Sequence, residues 1–238
     1  MSHKRIVDYA ISTVDRPVNY IYDLIPRVKG ERRVKLFVGS NNDSYLERYR
    51  HSFSIRIEKP DNNEWSRFKE ASVFHRATWN YWRSMTKWPD DPQRRGLVIL
   101  EDDVQPAEEW QEHLTRIISD IENKFKQRYI LALYTARTYS DIDNIGYARY
   151  PIHEIGGTQG FYYPEAVRRE CAAFLKLYGV EWNEAPYDML LADFCSRHGY
   201  PVFVTIPALI QHVGKVGTGL STYHFAPTFK LSAKANQN

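Results

Sequence analysis

A chain of 238 residues, 43% of them hydrophobic and 26% charged, can bury a full core and fits one large domain better than two small ones. Its formal charge of +3 suits a phosphate-bearing ligand but falls short of the strongly basic footprint of a dedicated nucleic-acid binder. No apolar run reaches the roughly 20 residues of a membrane span, no signal-peptide core follows Met1, and two cysteines, Cys171 and Cys195, argue against a disulfide framework, so a cytoplasmic setting is expected.

Strand and helix patterns alternate along the chain. Ile6 to Ser12 reads as a first strand running into Thr13-Val14-Asp15-Arg16-Pro17, where Asp15 or Thr13 can cap a helix from Pro17 to Ile25. Val34 to Val38 is a second strand closed by the loop-forming Gly39-Ser40-Asn41-Asn42-Asp43; a short helix at Tyr45–Tyr49 and a third extended run at Phe53–Ile57 follow. Consecutive β-α-β units imply a parallel sheet with right-handed crossovers. Between Glu64 and Lys87, the residues Trp65, Phe68, Ser72, His75, Trp79 and Trp82 recur every three or four positions, which predicts one long helix with that stripe on the sheet. Arg76 and Asn80 lie on another face of it; they belong either to a solvated surface or to a helix that reaches a nucleotide.

Leu97 to Leu100 is a short strand buried on both faces, followed at once by Glu101-Asp102-Asp103. Uncompensated carboxylates are costly to bury, so the triplet is expected just past the strand end with a cationic partner. A hard divalent metal is one such partner, because metals that carry a phosphate substrate take only one or two protein carboxylates. An acidic loop opening a helix near Pro106 is the plainer alternative.

Pro106 to Lys126 reads as that helix and Tyr129 to Leu133 as a strand, with a polar stretch from Tyr134 to Glu154 long enough to cover a substrate. In Gly156-Gly157-Thr158-Gln159-Gly160, the three glycines allow close backbone approach to a ligand or positive φ, and a short strand rather than a helix follows, unlike a Walker or dinucleotide fingerprint. Pro186 breaks the chain so that Asp188 falls in the first turn of a helix, where the dipole alone also favours an acid. Pro201 to Val204 is a strand, and Pro207-Ala208-Leu209-Ile210 leads into Gln211-His212 and a glycine-rich loop, which makes His212 a candidate ligand. A surplus of aromatics, 17 tyrosines and 6 tryptophans, suits a groove for sugars or bases as well as a core.

A strand ending in acids, a Gly-rich turn, a helix-start aspartate and a late histidine, in that order, resemble the core of GT-A glycosyltransferases. The stretches LEDDV, PYDMLLADF and IPALIQHVGKVGTGLS further resemble the N-acetylglucosaminyltransferase IV family, and HRATWNYWRSM sits where that family has a comparable basic and aromatic helix. The resemblance covers about residues 75–221, without that family's membrane anchor or accessory lectin domain. It implies an α/β GT-A fold, a Rossmann-like nucleotide-binding sheet with flanking helices, as a single domain over 1–238. About 1–104 would form the nucleotide-sugar half, 105–223 the acceptor and metal half, and 224–238 a tail.

By the same resemblance, Asp103 and His212 hold Mn²⁺ or Mg²⁺, and Glu101 and Asp102 contact the nucleotide or ribose. Asp188 is the general base of an inverting transfer. Thr13, Asp15, Arg16, Arg76 and Asn80 meet the nucleotide, while Gly156, Gly157 and Gly160 close around the donor sugar or acceptor. The expected reaction moves a hexose, GlcNAc among the candidates, from a UDP-sugar to an acceptor hydroxyl on a glycan. Three alternatives stand beside it: hydroxymethylated DNA bases as the acceptor, a nucleotidyltransferase, and a non-catalytic carbohydrate-binding protein. The second would call for a glycine-rich basic loop near the N-terminus, and no glycine precedes Gly30.

Overall fold

The computed structural model describes residues 6–28, 33–52, 55–139, 146–215 and 224–231. Their order is β1 (Ile6–Thr13), α1 (Ile21–Val28), β2 (Val34–Val38), a 3-10 helix (Ser44–Tyr49), β3 (Ile55–Glu58), α2 (Asn62–Phe68), α3 (Val73–Thr86), β4 (Arg94–Glu101) and β5 (Val104–Pro106). There follow α4 (Trp110–Lys124), β6 (Ile130–Ala132), β7 (Gly146–Tyr150), a 3-10 helix (Ile152–Glu154), β8 (Gly160–Pro164), α5 (Glu165–Leu175), a π-helical turn (Lys176–Glu181), α6 (Tyr187–His198), β9 (Val202–Ile206) and β10 (Ile210–His212).

Eight strands form one sheet in the order β3-β2-β1-β4-β8-β6-β9-β7. The first four are mutually parallel, as the β-α-β pattern predicts. Beyond them the sheet is mixed: β8 runs antiparallel between β4 and β6, β9 is parallel to β6, and β7 closes the edge antiparallel to β9. The α/β class expected from the sequence is therefore the class observed. Strands β2 and β9 are buried at every residue, and β4 at each from Gly96 to Leu100, which explains why these stretches are apolar but for Lys35 in β2 and Thr205 in β9.

Successive residues of β4 serve opposite faces of the sheet. Val98 and Leu100 pack with α1 and α4 through Leu24, Ile25, Leu114 and Ile118. Leu97 and Ile99 pack with α3, α5 and α6 through Tyr81, Met85, Val167, Leu191 and Phe194. Cys171 and Cys195 are both free and buried in this second layer.

Several expected boundaries move. The helix predicted from Pro17 starts at Ile21, and the one predicted from Pro106 starts at Trp110, because Pro106 belongs to β5 and pairs with Ile210. The long helix predicted over Glu64–Lys87 is two. A capping box, with the Asp61 side chain accepting from Glu64 N and the Glu64 side chain accepting from Asp61 N, opens α2, and Ser72 Oγ accepts from His75 N to open α3. Ser72 is thus a cap rather than part of the apolar stripe. His75 is a boundary residue, its Nε2 lying 3.0 Å from the Val180 carbonyl oxygen. β7 occupies part of the polar stretch before Glu154. Phe53 of the third run and Val216–Ser221 of the last motif lie outside the described residues. Among the described residues, no helix is long and apolar enough to cross a membrane.

Candidate active site

The carboxyl ends of β1, β2 and β4 open into a cleft of about 760 Å³, a size that accommodates a small-molecule ligand. Glu101 is the last residue of β4, and the turn Asp102-Asp103 leads directly into β5. Strand β5 pairs antiparallel with β10, which sets His212 opposite Val104, and Val213 N donates to Asp103 O at 2.9 Å. This ladder brings His212 Nε2 to 3.3 Å from Asp103 Oδ2 across 109 positions of sequence. Gly214 makes the approach possible: a Cβ there would collide with the Asp103 carboxylate and lie 2.9 Å from His212 Nε2.

The acids are braced from the loop after β1. Arg16 donates through Nη1 to Asp103 Oδ2 at 2.9 Å and through Nη2 to Asp102 Oδ1, and Thr13 Oγ1 donates to Asp102 Oδ2 at 2.7 Å. Burial pushes the Asp102 carboxyl up to about 7, against the opposing pull of Arg16. Asp103, despite an upward push from burial, is held below the usual carboxylate range by His212 and Arg16. His212, in turn, is held above the usual imidazole range by Asp103, against the opposite effect of its own burial. Glu101 is raised by burial and by the charge of Asp103; its Oε1 accepts from Tyr187 Oη at 2.8 Å and Thr158 Oγ1 at 2.9 Å. Asp103 Oδ1 is buried and has no hydrogen-bond partner among the described residues.

The opposite wall is the start of α6 and the glycine loop before β8. Asp188 sits in the first turn of α6, where its Oδ2 accepts from Gly157 N at 3.3 Å and its Oδ1 from Met189 N at 2.9 Å. Gly157 has φ of 80°, the left-handed region that aims this N–H at Asp188 without the cost a side chain would incur.

Thr13, Asp15, Arg16, Arg76, Asn80, Glu101, Asp102, Asp103, Gly157, Asp188 and His212 all line the cleft. Their present contacts differ from the expected ones in several places. Arg16, expected at the nucleotide, is the counter-ion of the acids. Asn80 is committed to bracing: Nδ2 donates to Ser12 Oγ and Phe37 O, and Oδ1 accepts from Arg83, which ties the ends of β1 and β2 to α3. Arg76 donates to the carbonyls of Lys69 and Ala71, closing the break between α2 and α3. Asp15 accepts from Asn42 Nδ2, joining the loops after β1 and β2.

Two of the three glycines expected around the ligand stand apart from the cleft lining. Gly156 is exposed, and Gly160 serves packing, since a Cβ there would overlap Ile210 and lie 3.0 Å from Leu100. Sequence reasoning missed Thr158 and Tyr187, which hold Glu101, and Gly214, which admits His212. Their signal was adjacency alone: Tyr187 precedes Asp188, and Gly214 follows His212 by two.

No family model matches the chain, and no curated protein matches it. Among solved structures the chain is similar to the bifunctional glycosyltransferase WbbM in its apo form, at 14% identity over 84% of this chain and 38% of that one, with a TM-score of 0.46. It is also similar to the galactosyltransferase LgtC in complex with donor and acceptor sugar analogues, at 11% identity over 79% of this chain and 70% of that one, with a TM-score of 0.44. It thus spans less than half the length of the first of these proteins.

Proposed function

We propose that the chain is a GT-A glycosyltransferase that moves a hexose from a UDP-sugar to a glycan hydroxyl with inversion, using Mn²⁺ or Mg²⁺. One observation carries the reading: a single cleft sets the buried, partly unpartnered Asp103 and its neighbour His212 on one wall and Asp188 on the other. Among the described residues no three potential ligands gather into a complete protein cage. The Asp103 carboxylate, its Oδ1 unpartnered among the described residues and its Oδ2 3.3 Å from His212 Nε2, nevertheless fits a hard cation that would draw its remaining ligands from substrate phosphate and water. When bound, that ion supplies positive charge against a diphosphate leaving group.

The chain's own groups account for the rest. Arg16 adds a fixed positive charge beside the acids and offsets part of their repulsion of a diphosphate. Asp102, locked between Thr13 and Arg16, and Glu101, locked between Thr158 and Tyr187, offer oriented oxygens to nucleotide hydroxyls. Asp188, its two oxygens steered by Gly157 and Met189, takes the proton of the attacking acceptor hydroxyl. A single displacement with the base opposite the leaving group inverts the anomeric centre.

The direct test is UDP release from a panel of UDP-sugars with and without Mn²⁺, followed by mass analysis of products on glycan acceptors. An oligonucleotide carrying hydroxymethylated bases forms a separate arm that tests the acceptor class. Full activity after exhaustive chelation would remove the metal from the reading, and no binding of any UDP-sugar would remove the reading itself.

A further inference from the structure

Three carboxamide side chains, Asn80, Gln159 and Gln211, are buried among the described residues, at 2%, 2% and 5% exposure. Two of them are paired at both ends. Asn80 bridges Ser12, Phe37 and Arg83, and Gln211 donates from Nε2 to Ala226 O at 3.3 Å while its Oε1 accepts from Ala226 N at 2.9 Å. Gln159 differs. Its Oε1 is buried yet accepts from no described residue, although the side chain lines the cleft. A structural glutamine so placed loses its hydration and gains nothing in return, whereas a ligand-binding one is completed by its ligand.

The backbone around Gln159 is tied to both walls of the site. Its own carbonyl accepts from Glu101 N at 3.0 Å, Thr158 beside it donates to Glu101, and Gly157 donates to Asp188. A Cβ on Gly157 would come 2.6 Å from Gln159 Nε2 and 2.8 Å from Oε1, so the carboxamide lies over bare glycine backbone. The chain therefore keeps an unpartnered amide oxygen on the loop that is hydrogen-bonded to both Glu101 and Asp188.

We infer that Gln159 reads the sugar ring of the donor. The inference rests on the UDP-sugar reading above and names the residue that discriminates among hexoses. An amide oxygen cannot accept from a phosphate oxygen and needs a donor hydrogen, while the amide nitrogen next to it supplies hydrogens. Neighbouring ring hydroxyls match both requirements, since each hydroxyl donates and accepts. A diphosphate that met Arg16 and a cation held by Asp103 and His212, with an acceptor hydroxyl at Asp188, would leave the hexose on the stretch between them, where Gln159 lies.

The test compares calorimetric binding of UDP, UDP-glucose, UDP-galactose and UDP-GlcNAc, each with Mn²⁺, to wild type and to Gln159→Met, which fills the same volume without hydrogen-bonding groups. The expected result is a melting temperature equal to or above wild type, UDP affinity within about twofold, and a loss of about tenfold or more in the wild-type preference for its best UDP-hexose. Gln159→Glu, which keeps an acceptor oxygen, should recover part of that preference. An unchanged ranking of the hexoses in Gln159→Met would overturn the inference. So would a fall in melting temperature with UDP and all UDP-hexoses weakened equally, the mark of a structural glutamine. Wild-type protein that binds neither UDP nor any UDP-hexose fails differently: it overturns the donor reading, and the inference with it.

Discussion

The two walls of the cleft are built on opposite plans. On the acid wall nearly every polar atom is spent: Thr13 and Arg16 hold Asp102, Arg16 and His212 hold Asp103, and Thr158 and Tyr187 hold Glu101, almost all of it away from water. On the facing wall Asp188 is half-buried, and two large apolar side chains, Phe74 on α3 and Met189 on α6, stand 42% and 60% exposed. A wall that buries charge in a rigid network is prepared for one fixed, charged group, because reorganising it would cost more than any single contact returns. A wall with open apolar faces around one steered carboxylate can take ligands that vary in shape. Under the proposed glycosyl transfer, the acid wall would serve the constant part of the donor and the facing wall the acceptor.

Substitutions on the acid wall should produce the largest losses. Asp103→Ala removes the buried carboxylate with the orphaned oxygen, and turnover is expected to fall by about 10³-fold or more while the protein stays folded, since of the two groups left behind Arg16 still pairs with Asp102 and His212 still accepts from His224 N. Chelation of wild type should reproduce that loss, and readdition of Mn²⁺ should restore only the wild type. Near-normal rates in either case would break the contrast between the walls. Next in size is Asp188→Asn, which preserves volume and can still accept from Gly157. It should bind UDP as wild type does yet lose roughly 10²–10⁴-fold in turnover. A drop in melting temperature with turnover within a few fold would instead make Asp188 a helix-start residue only.

A smaller effect is expected where the two distant strands meet. His212→Ala should weaken Mn²⁺ binding in the presence of UDP by at least about tenfold, because water replaces the imidazole. Gly214→Ala should do the same with both proposed ligands still present, since its methyl group would have to displace Asp103 or His212. Titration calorimetry distinguishes the outcomes. If Gly214→Ala binds metal normally, the close approach of β10 to Asp103 is not what organises the pair.

The sequence made one wall easier to read than the other. The acids were visible because three carboxylates directly follow four buried apolar residues, a local pattern. The α/β class was visible for the same reason: β2, β9 and the Leu97–Leu100 stretch of β4 are mainly apolar and β-branched, interrupted only by Lys35 and Thr205. What joins Asp103 to His212 was not, because β5 and β10 have three residues each, too few for periodicity to register. The mixed half of the sheet escaped because strand direction leaves no trace in composition. Spacing placed Arg76 and Asn80 on one helix face but could not show that backbone carbonyls, rather than a ligand, satisfy them. The break between α2 and α3 was hidden by Ser72, whose position fits the stripe and whose chemistry fits a cap.

The smallest expected effect is also the one that separates the walls most cleanly. Phe74→Ala and Met189→Ala each remove an exposed side chain, so stability should stay within about 0.5 kcal/mol of wild type and the fold is not at issue. Neither residue contacts Glu101, Asp102, Asp103 or His212 through a hydrogen bond, so UDP and Mn²⁺ binding should be unchanged. Under the proposed function, an apolar rim beside Asp188 would act by covering the flat C–H face of an acceptor ring, an interaction worth little per side chain. The acceptor KM should therefore rise about three- to tenfold with kcat nearly constant, because the same contact is made before and during transfer. Hydrolysis of the UDP-sugar, in which water replaces the acceptor, should be untouched. A change in donor KM instead would place the base or sugar of the donor against this rim and reverse the assignment of the two walls.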